Sequence, residues 1–141
     1  MNNPQPPHPK PGPVTAGAHH LGLTVPNLNQ AVDFFVMTLG FELLEERPAY
    51  PAAFVSDGTI MLTLWQAQID PPTPFDRKKN LGLHHFALRL RPGVSLEDAA
   101  ARVAAHEAVD LEFSPEPIGT GPYRHIMFKF ADAFRMEIVG A

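Results

Sequence analysis

One short stretch occurs twice in this chain, and any fold must use both copies. Ala18–Val25 reads Ala-His-His-Leu-Gly-Leu-Thr-Val, and Leu83–Leu90 reads Leu-His-His-Phe-Ala-Leu-Arg-Leu. Alternation after each histidine pair marks a strand with one face on a core. Leu21, Leu23 and Val25 share that face in the first copy, and Phe86, Leu88 and Leu90 share it in the second. His20 and His85 therefore fall at the same place on the opposite face of two strands. A lone strand histidine is usually structural, and His19, His84 and His106 are read that way. A pair that recurs in register within a repeat points instead to shared chemistry.

The segment after each copy repeats as well. Beyond Pro26, Leu28, Ala31, Val32, Phe35 and Leu39 recur at helical spacing, with Asn27 as N-cap and Gly40 as the left-handed stop. Strands are predicted over Phe41–Leu44, Ala52–Ser56 and Thr59–Gln66, with a loop at Glu45–Pro48 and a hairpin turn at Asp57-Gly58. In the second half Ser95 caps a helix from Leu96 to about His106, whose buried stripe is Leu96, Ala99, Ala100 and Val103. Strands Asp110–Phe113, Arg124–Phe130 and Arg135–Val139 come next, with a loop over Ser114–Pro122. The order strand, helix, three strands thus occurs twice, which sets the fold before any local argument. The chain is predicted to be α+β: two tandem βαβββ modules forming a cupped mixed sheet with helices on its outer face. The modules span residues 18–68 and 81–141 of a single domain, joined by a proline-rich, polar linker over 69–80. That linker is a reasonable place for substrate gating. Residues 1–17 read as a disordered, proline-rich tail in which His8 is a bystander.

Composition narrows the partners. Hydrophobic residues make up 45% and charged residues 18%, a globular balance. A net charge of -4 with no basic run excludes a nucleic-acid footprint, and no apolar run approaches the length of a membrane span. Cysteine is absent, which removes thiol nucleophiles and thiolate metal sites and fits a cytoplasmic protein.

Four stretches carry a family resemblance: His20-Leu21-Gly22-Leu23-Thr24-Val25, the run from Phe34-Phe35 to Leu39-Gly40-Phe41, His84-His85-Phe86-Ala87-Leu88, and Met136-Glu137-Ile138. In this order they resemble the vicinal oxygen chelate superfamily of glyoxalases, bleomycin- and fosfomycin-resistance proteins and extradiol dioxygenases, over residues 18–140. The resemblance implies metal ligands on the first and last strands of the modules, at His20, His85 and Glu137. Met61 stands where glyoxalase I has a fourth ligand, a glutamate. Phe130-Ala131-Asp132-Ala133 replaces the usual Asp-Pro-Asp-Gly turn. Met127 stands where the extradiol signature has a tyrosine, and Gly22 where the fosfomycin enzymes have a threonine.

Two imidazoles and a carboxylate suit a divalent Mn, Fe, Zn, Co or Ni ion and leave positions open for substrate oxygens. Strand parity adds Met61, Thr63 and Trp65, then His125, Met127 and Lys129, to the cup face, with Arg135 beside Glu137 and Arg89 beside His85. Glu137 and His125 are the candidate catalytic groups, His125 as an acid/base. Arg89, Lys129 and Arg135 are candidate substrate contacts that invite an anion, against an apolar wall of Met61, Trp65 and Met127. The expected function is a metal-dependent enzyme (lyase or isomerase, transferase, or dioxygenase) acting on a small oxygen-bearing substrate. The alternative is a metal-free, bleomycin-resistance-like binder of small molecules. Relatives often pair modules across two chains, so a homodimer is expected.

Overall fold

The computed structural model describes residues 9–141; His8 and the rest of residues 1–8 lie outside the described part. The first module contains β1 (His20–Val25), α1 (Leu28–Asp33), a π-helical turn (Phe34–Thr38), β2 (Glu42–Arg47), β3 (Ala52–Ser56) and β4 (Met61–Gln66). The second contains β5 (Phe86–Arg89), α2 (Leu96–Ala104), β6 (Val109–Pro117), β7 (Arg124–Phe130) and β8 (Phe134–Gly140). Each module forms its own four-stranded sheet, ordered β1-β4-β3-β2 in the first and β5-β8-β7-β6 in the second. In both, the first strand lies parallel to the last and the other pairs are antiparallel. The repeat read from the sequence is thus a repeat of topology, and β1 and β5 are equivalent edge strands.

The caps form as their residues require. Asn27 Oδ1 accepts the Gln30 amide and Ser95 Oγ the Asp98 amide, satisfying donors that the first helical turn leaves orphaned. Gly40 closes the first helix at φ 76°, where a Cβ would be strained. The helix does not run unbroken to Leu39 as periodicity predicts. It widens after Asp33, with the Leu39 amide donating to Phe34 O at 3.1 Å. This five-residue spacing accompanies the burial of Phe34 and Phe35 together, although consecutive positions of an α-helix diverge.

Two predicted loops are strands. Glu45–Arg47 belongs to β2 after a register shift between Leu43 and Glu45. Ser114–Pro117 prolongs β6, the edge strand, where prolines and further register shifts are tolerated. The Phe130–Ala133 segment remains a tight hairpin turn. Ala131 and Asp132 adopt φ of 50° and 51°, and the Ala133 amide donates to Phe130 O at 2.8 Å, the left-handed pair of a type I′ turn.

A single apolar cluster joins the modules: Leu62 and Leu64 of β4, Ile126, Phe128 and Phe130 of β7, and Met136 and Ile138 of β8, with Phe34 and Phe35 among them. Phe34 packs on Phe128 and Phe130 of the other module, with ring centroids 5.8 and 4.7 Å apart. His106, expected to be structural, packs on both Phe34 and Phe130. Its Nε2 lies 3.5 Å from Asp33. The opposite sheet faces are left for a site. The linker is pinned by the Phe75 amide to Asp132 O at 2.8 Å and by Arg77 to Glu112 at 3.5 Å.

Candidate active site

Glu137 is the centre of the second module's free face. Met136 and Ile138 point into the core, so parity turns Glu137 the other way, where only 9% of it is exposed. Its Oε1 takes a hydrogen bond from His125 Nδ1 at 2.7 Å, and its Oε2 lies 3.3 Å from His85 Nε2. His125 comes from β7, which pairs with β8, and its Nε2 approaches Glu116 on β6 at 3.7 Å. Phe113 covers the His125 ring at a centroid distance of 4.9 Å. A hydrogen-bonded, ring-covered imidazole of this kind holds the Glu137 carboxylate in place. That contact, rather than an open cup, is what the predicted acid/base residue meets.

The Glu137 Oε2 and His85 Nε2 pair fits a cation. Two ligand atoms on one divalent ion, each about 2.1 Å from it, lie roughly 3.0–3.4 Å apart in octahedral or tetrahedral geometry. His20 does not complete the set within one chain. It begins β1 in the other sheet, opposite Met61. No group of three or more His, Asp or Glu that could hold a metal forms among the described residues.

The predicted cations differ in their freedom. Arg135 is bound bidentately by Glu112, with both nitrogen–oxygen distances 2.8 Å. Hydrogen bonding to Arg135 holds the Glu112 carboxyl below its ordinary pKa, and Glu112 raises that of Arg135. Lys129 lies 3.4 Å from Asp110. Among the described residues Arg89 makes no ion pair and is exposed. The sequence reading missed Glu112, although parity already placed it with Asp110 on the side opposite Leu111. Burial and the charge of Arg135 also hold His84 below the ordinary histidine pKa.

The Glu112 pair carries a pH signature. A carboxylate with a lowered folded pKa adds stability above its unfolded value of about 4.3, and loses it as pH falls through the folded value. Glu112→Gln is therefore expected to destabilise by roughly 2 kcal/mol at neutral pH. In urea melts the gap from wild type should close as the pH falls below about 4. A gap that persists in acid would contradict this assignment.

The first module presents an aromatic shelf. Register places Phe54 beside Thr63 and Trp65 two residues further along β4. Tyr50 and Phe54 flank Trp65 at 5.1 and 6.2 Å, and the Arg47 guanidinium lies 4.7 Å over Phe54. The Trp65 indole N–H donates to Thr63 Oγ1 at 2.9 Å. A Cβ at Gly22 would meet Thr63 Oγ1 at 3.2 Å and Trp65 Nε1 at 3.6 Å. Glycine in place of the resemblance's threonine thus leaves room for the indole. Met61 is half-buried on this face, and Met127 is buried beside Glu137 on the other.

A twice-built βαβββ chain with histidine and glutamate on its free faces is the architecture of one protein class. Residues 17–139 match the glyoxalase/bleomycin resistance protein/dioxygenase superfamily, to which this chain belongs. Among solved structures, a glyoxalase/bleomycin resistance protein/dioxygenase domain from Frankia sp. EAN1pec aligns with TM-score 0.75 and 20% identity, covering 90% of this chain and 98% of that one. The fosfomycin resistance protein FosX from Listeria monocytogenes aligns at 0.69 and 18%, covering 91% and 95%. Lactoylglutathione lyase from Agrobacterium tumefaciens aligns at 0.65 and 18%, covering 92% and 96%. No curated protein matches in sequence. At these identities the structures establish the fold. Among the described residues no helix is long and apolar enough to cross a membrane.

Proposed function

We propose that this protein is a metal-dependent enzyme acting on a small oxygen-bearing substrate, with His85 and Glu137 of one chain and His20 of a second chain holding the ion. The approach of His85 Nε2 to a nearly buried Glu137 carboxylate carries this reading. A homodimer is favoured by two of the four edge strands: among the described residues β1 and β5 each leave one side unpaired, and each bears one of the histidines at or just before its start. A bound Mn, Fe, Zn, Co or Ni ion would supply a Lewis acid for two neighbouring substrate oxygens. The chain's residues do the remaining work. His125 fixes Glu137, the Tyr50–Phe54–Trp65 shelf takes the apolar part of the substrate, and Arg89 is the cation left for an anionic group. Because Arg135 and Lys129 are already paired, Arg89 is, among the described residues, the one of the three predicted cations without an ion pair. A cysteine-free chain of this kind suits the cytoplasm.

Metal analysis by mass spectrometry tests the reading, with His20→Ala and Glu137→Gln chains refolded singly and as a mixture. Neither variant alone should retain metal. In the mixture half of the dimers carry both variants, and each holds one intact site, so about a quarter of the wild-type metal should return. No recovery beside a metal-binding wild type would overturn the shared site. A wild type that takes none of the five ions would overturn the enzyme reading. A metal-free drug binder is the second reading, favoured by the Tyr50–Phe54–Trp65 shelf, which can take an apolar ligand without an ion. It would be supported by ligand quenching of Trp65, the chain's single tryptophan, in chelator-treated protein.

A further inference from the structure

Away from the candidate site, a cleft of about 800 Å³ runs between the two modules, within the range of about 300–1,000 Å³ typical of small-molecule sites. Its second-module wall is apolar. Leu88 and Leu90 of β5 and Met136 and Ile138 of β8 line it, on the side of the sheet opposite Glu137. Phe41 and Ile60 line it from the first module. Its rim is cationic. Arg91 of the loop after β5 and Arg102 of the last turn of α2 border it, and Asp57 is the one acidic residue there among the described residues. Asp57 is engaged by its own turn, its Oδ1 accepting the Thr59 and Ile60 amides at 2.8 and 2.9 Å. A sister cleft lies between β1 and the β7–β8 turn, but linker residues Pro72–Phe75 form part of its wall and about 440 Å³ is left. Among the described residues no such segment lines the cleft beside β5.

The distribution of ion pairs singles this cleft out. Of the seven arginines, Arg47, Arg77, Arg124 and Arg135 each pair with a glutamate. The three without an acidic partner among the described residues, Arg89, Arg91 and Arg102, all border the cleft. Parity turns Arg89 to the opposite face of β5, where the reading above uses it. Arg91 is fixed at the rim, its Nη2 donating to Asp57 O across the module boundary at 2.6 Å. A guanidinium has five N–H donors, so others remain for a ligand. Arg102 is exposed on α2. Two guanidinium groups without acidic partners over an apolar wall suit an anion with an apolar body, and a carboxylate matches their fork geometry. We propose that this cleft binds an amphiphilic carboxylate, with its head at Arg91 and Arg102 and its aliphatic chain along Leu88, Leu90, Met136 and Ile138. The site needs no metal and stands apart from the metal reading.

The test titrates octanoate, and separately its neutral counterpart octanol, into the full chain while methyl resonances are followed by NMR. Octanoate should shift Leu88, Leu90, Met136 and Ile138. It should bind about 10-fold or more tightly than octanol, because a hydrogen bond to a charged group is worth about a decade in affinity. Arg91→Met and Arg102→Met keep an apolar stem and lose the charge. Each should weaken octanoate by about 10-fold and leave octanol nearly unchanged. If Arg91→Met loosens the modules, Arg102→Met still decides, because Arg102 is exposed and holds no contact between them. Equal affinities for octanoate and octanol overturn the proposal, as does unchanged octanoate binding in Arg102→Met. Shifts confined to Met61 and Met127 would put the ligand on the candidate active-site faces and overturn it too. So would the absence of any shift, the result expected if a second copy or the chain's own first residues fill the cleft.

Discussion

Glu137→Gln is expected to abolish metal binding while leaving the fold intact. The amide keeps an oxygen to accept the His125 Nδ1 proton, so the 2.7 Å contact can survive and the neighbouring Met136 and Ile138 keep their packing. What disappears is the negative charge beside His85, the only carboxylate of the proposed set. Affinity should fall by more than the roughly 100-fold that marks the loss of an outer partner. Thermal melts check this without an activity assay. An ion at about 100 times its dissociation constant stabilises the folded state by about 2.7 kcal/mol. That is a rise of roughly 5–10 °C in the midpoint for a chain of this size. Wild type should show the rise with its preferred ion, and Glu137→Gln should show none. An equal rise in both would remove Glu137 from the site.

The largest effect on stability is expected at Phe34. It is wholly buried and packs on Phe35, Phe128, Phe130 and His106. Truncation to alanine should therefore open a cavity between the modules and cost about 3–5 kcal/mol. Against a typical stability of about 5–15 kcal/mol this is severe, and the melting midpoint should fall by roughly 10–20 °C. Met37 lies in the same π-helical turn but is 73% exposed, so Met37→Ala should change stability by no more than about 0.5 kcal/mol. The pair of variants separates core packing from the integrity of the turn. Because one cluster spans both modules, wild type should melt in one transition by fluorescence and circular dichroism. Two transitions would mean that the modules have separable cores.

Much of the architecture is legible in the residues. Alternation locates β1, β3, β4, β7 and β8, while Asn27, Ser95 and Gly40 mark helix ends. These are local signals: strand parity and caps depend on a few neighbouring residues, so they survive whatever the rest of the chain does. The misread segments have equally definite causes. The charged run at Glu45–Arg47 and the prolines at 115 and 117 read as loops, yet pairing on one side carries them into edge strands. The break after Asp33 is invisible in the sequence because the helical period continues through Phe35 and Leu39. Only the partners of the two adjacent phenylalanines explain why both turn inward.

The candidate site divides along the same line. From the sequence alone come the internal repeat, the equivalence of His20 and His85, and the face on which Glu137, His125, Trp65 and the three cations stand. Tertiary structure alone decides that His125 grips Glu137, that Glu112 takes Arg135, that His84 faces Arg135, and that His20 sits on the edge of a different sheet. Each of these depends on strands distant in sequence meeting in a particular register, and two of the strands, β2 and β6, shift register along their length. Parity tells which side of a strand a residue faces. Which groups it meets there is decided by strand pairing, because a side chain's charge and tautomer answer to its spatial neighbours.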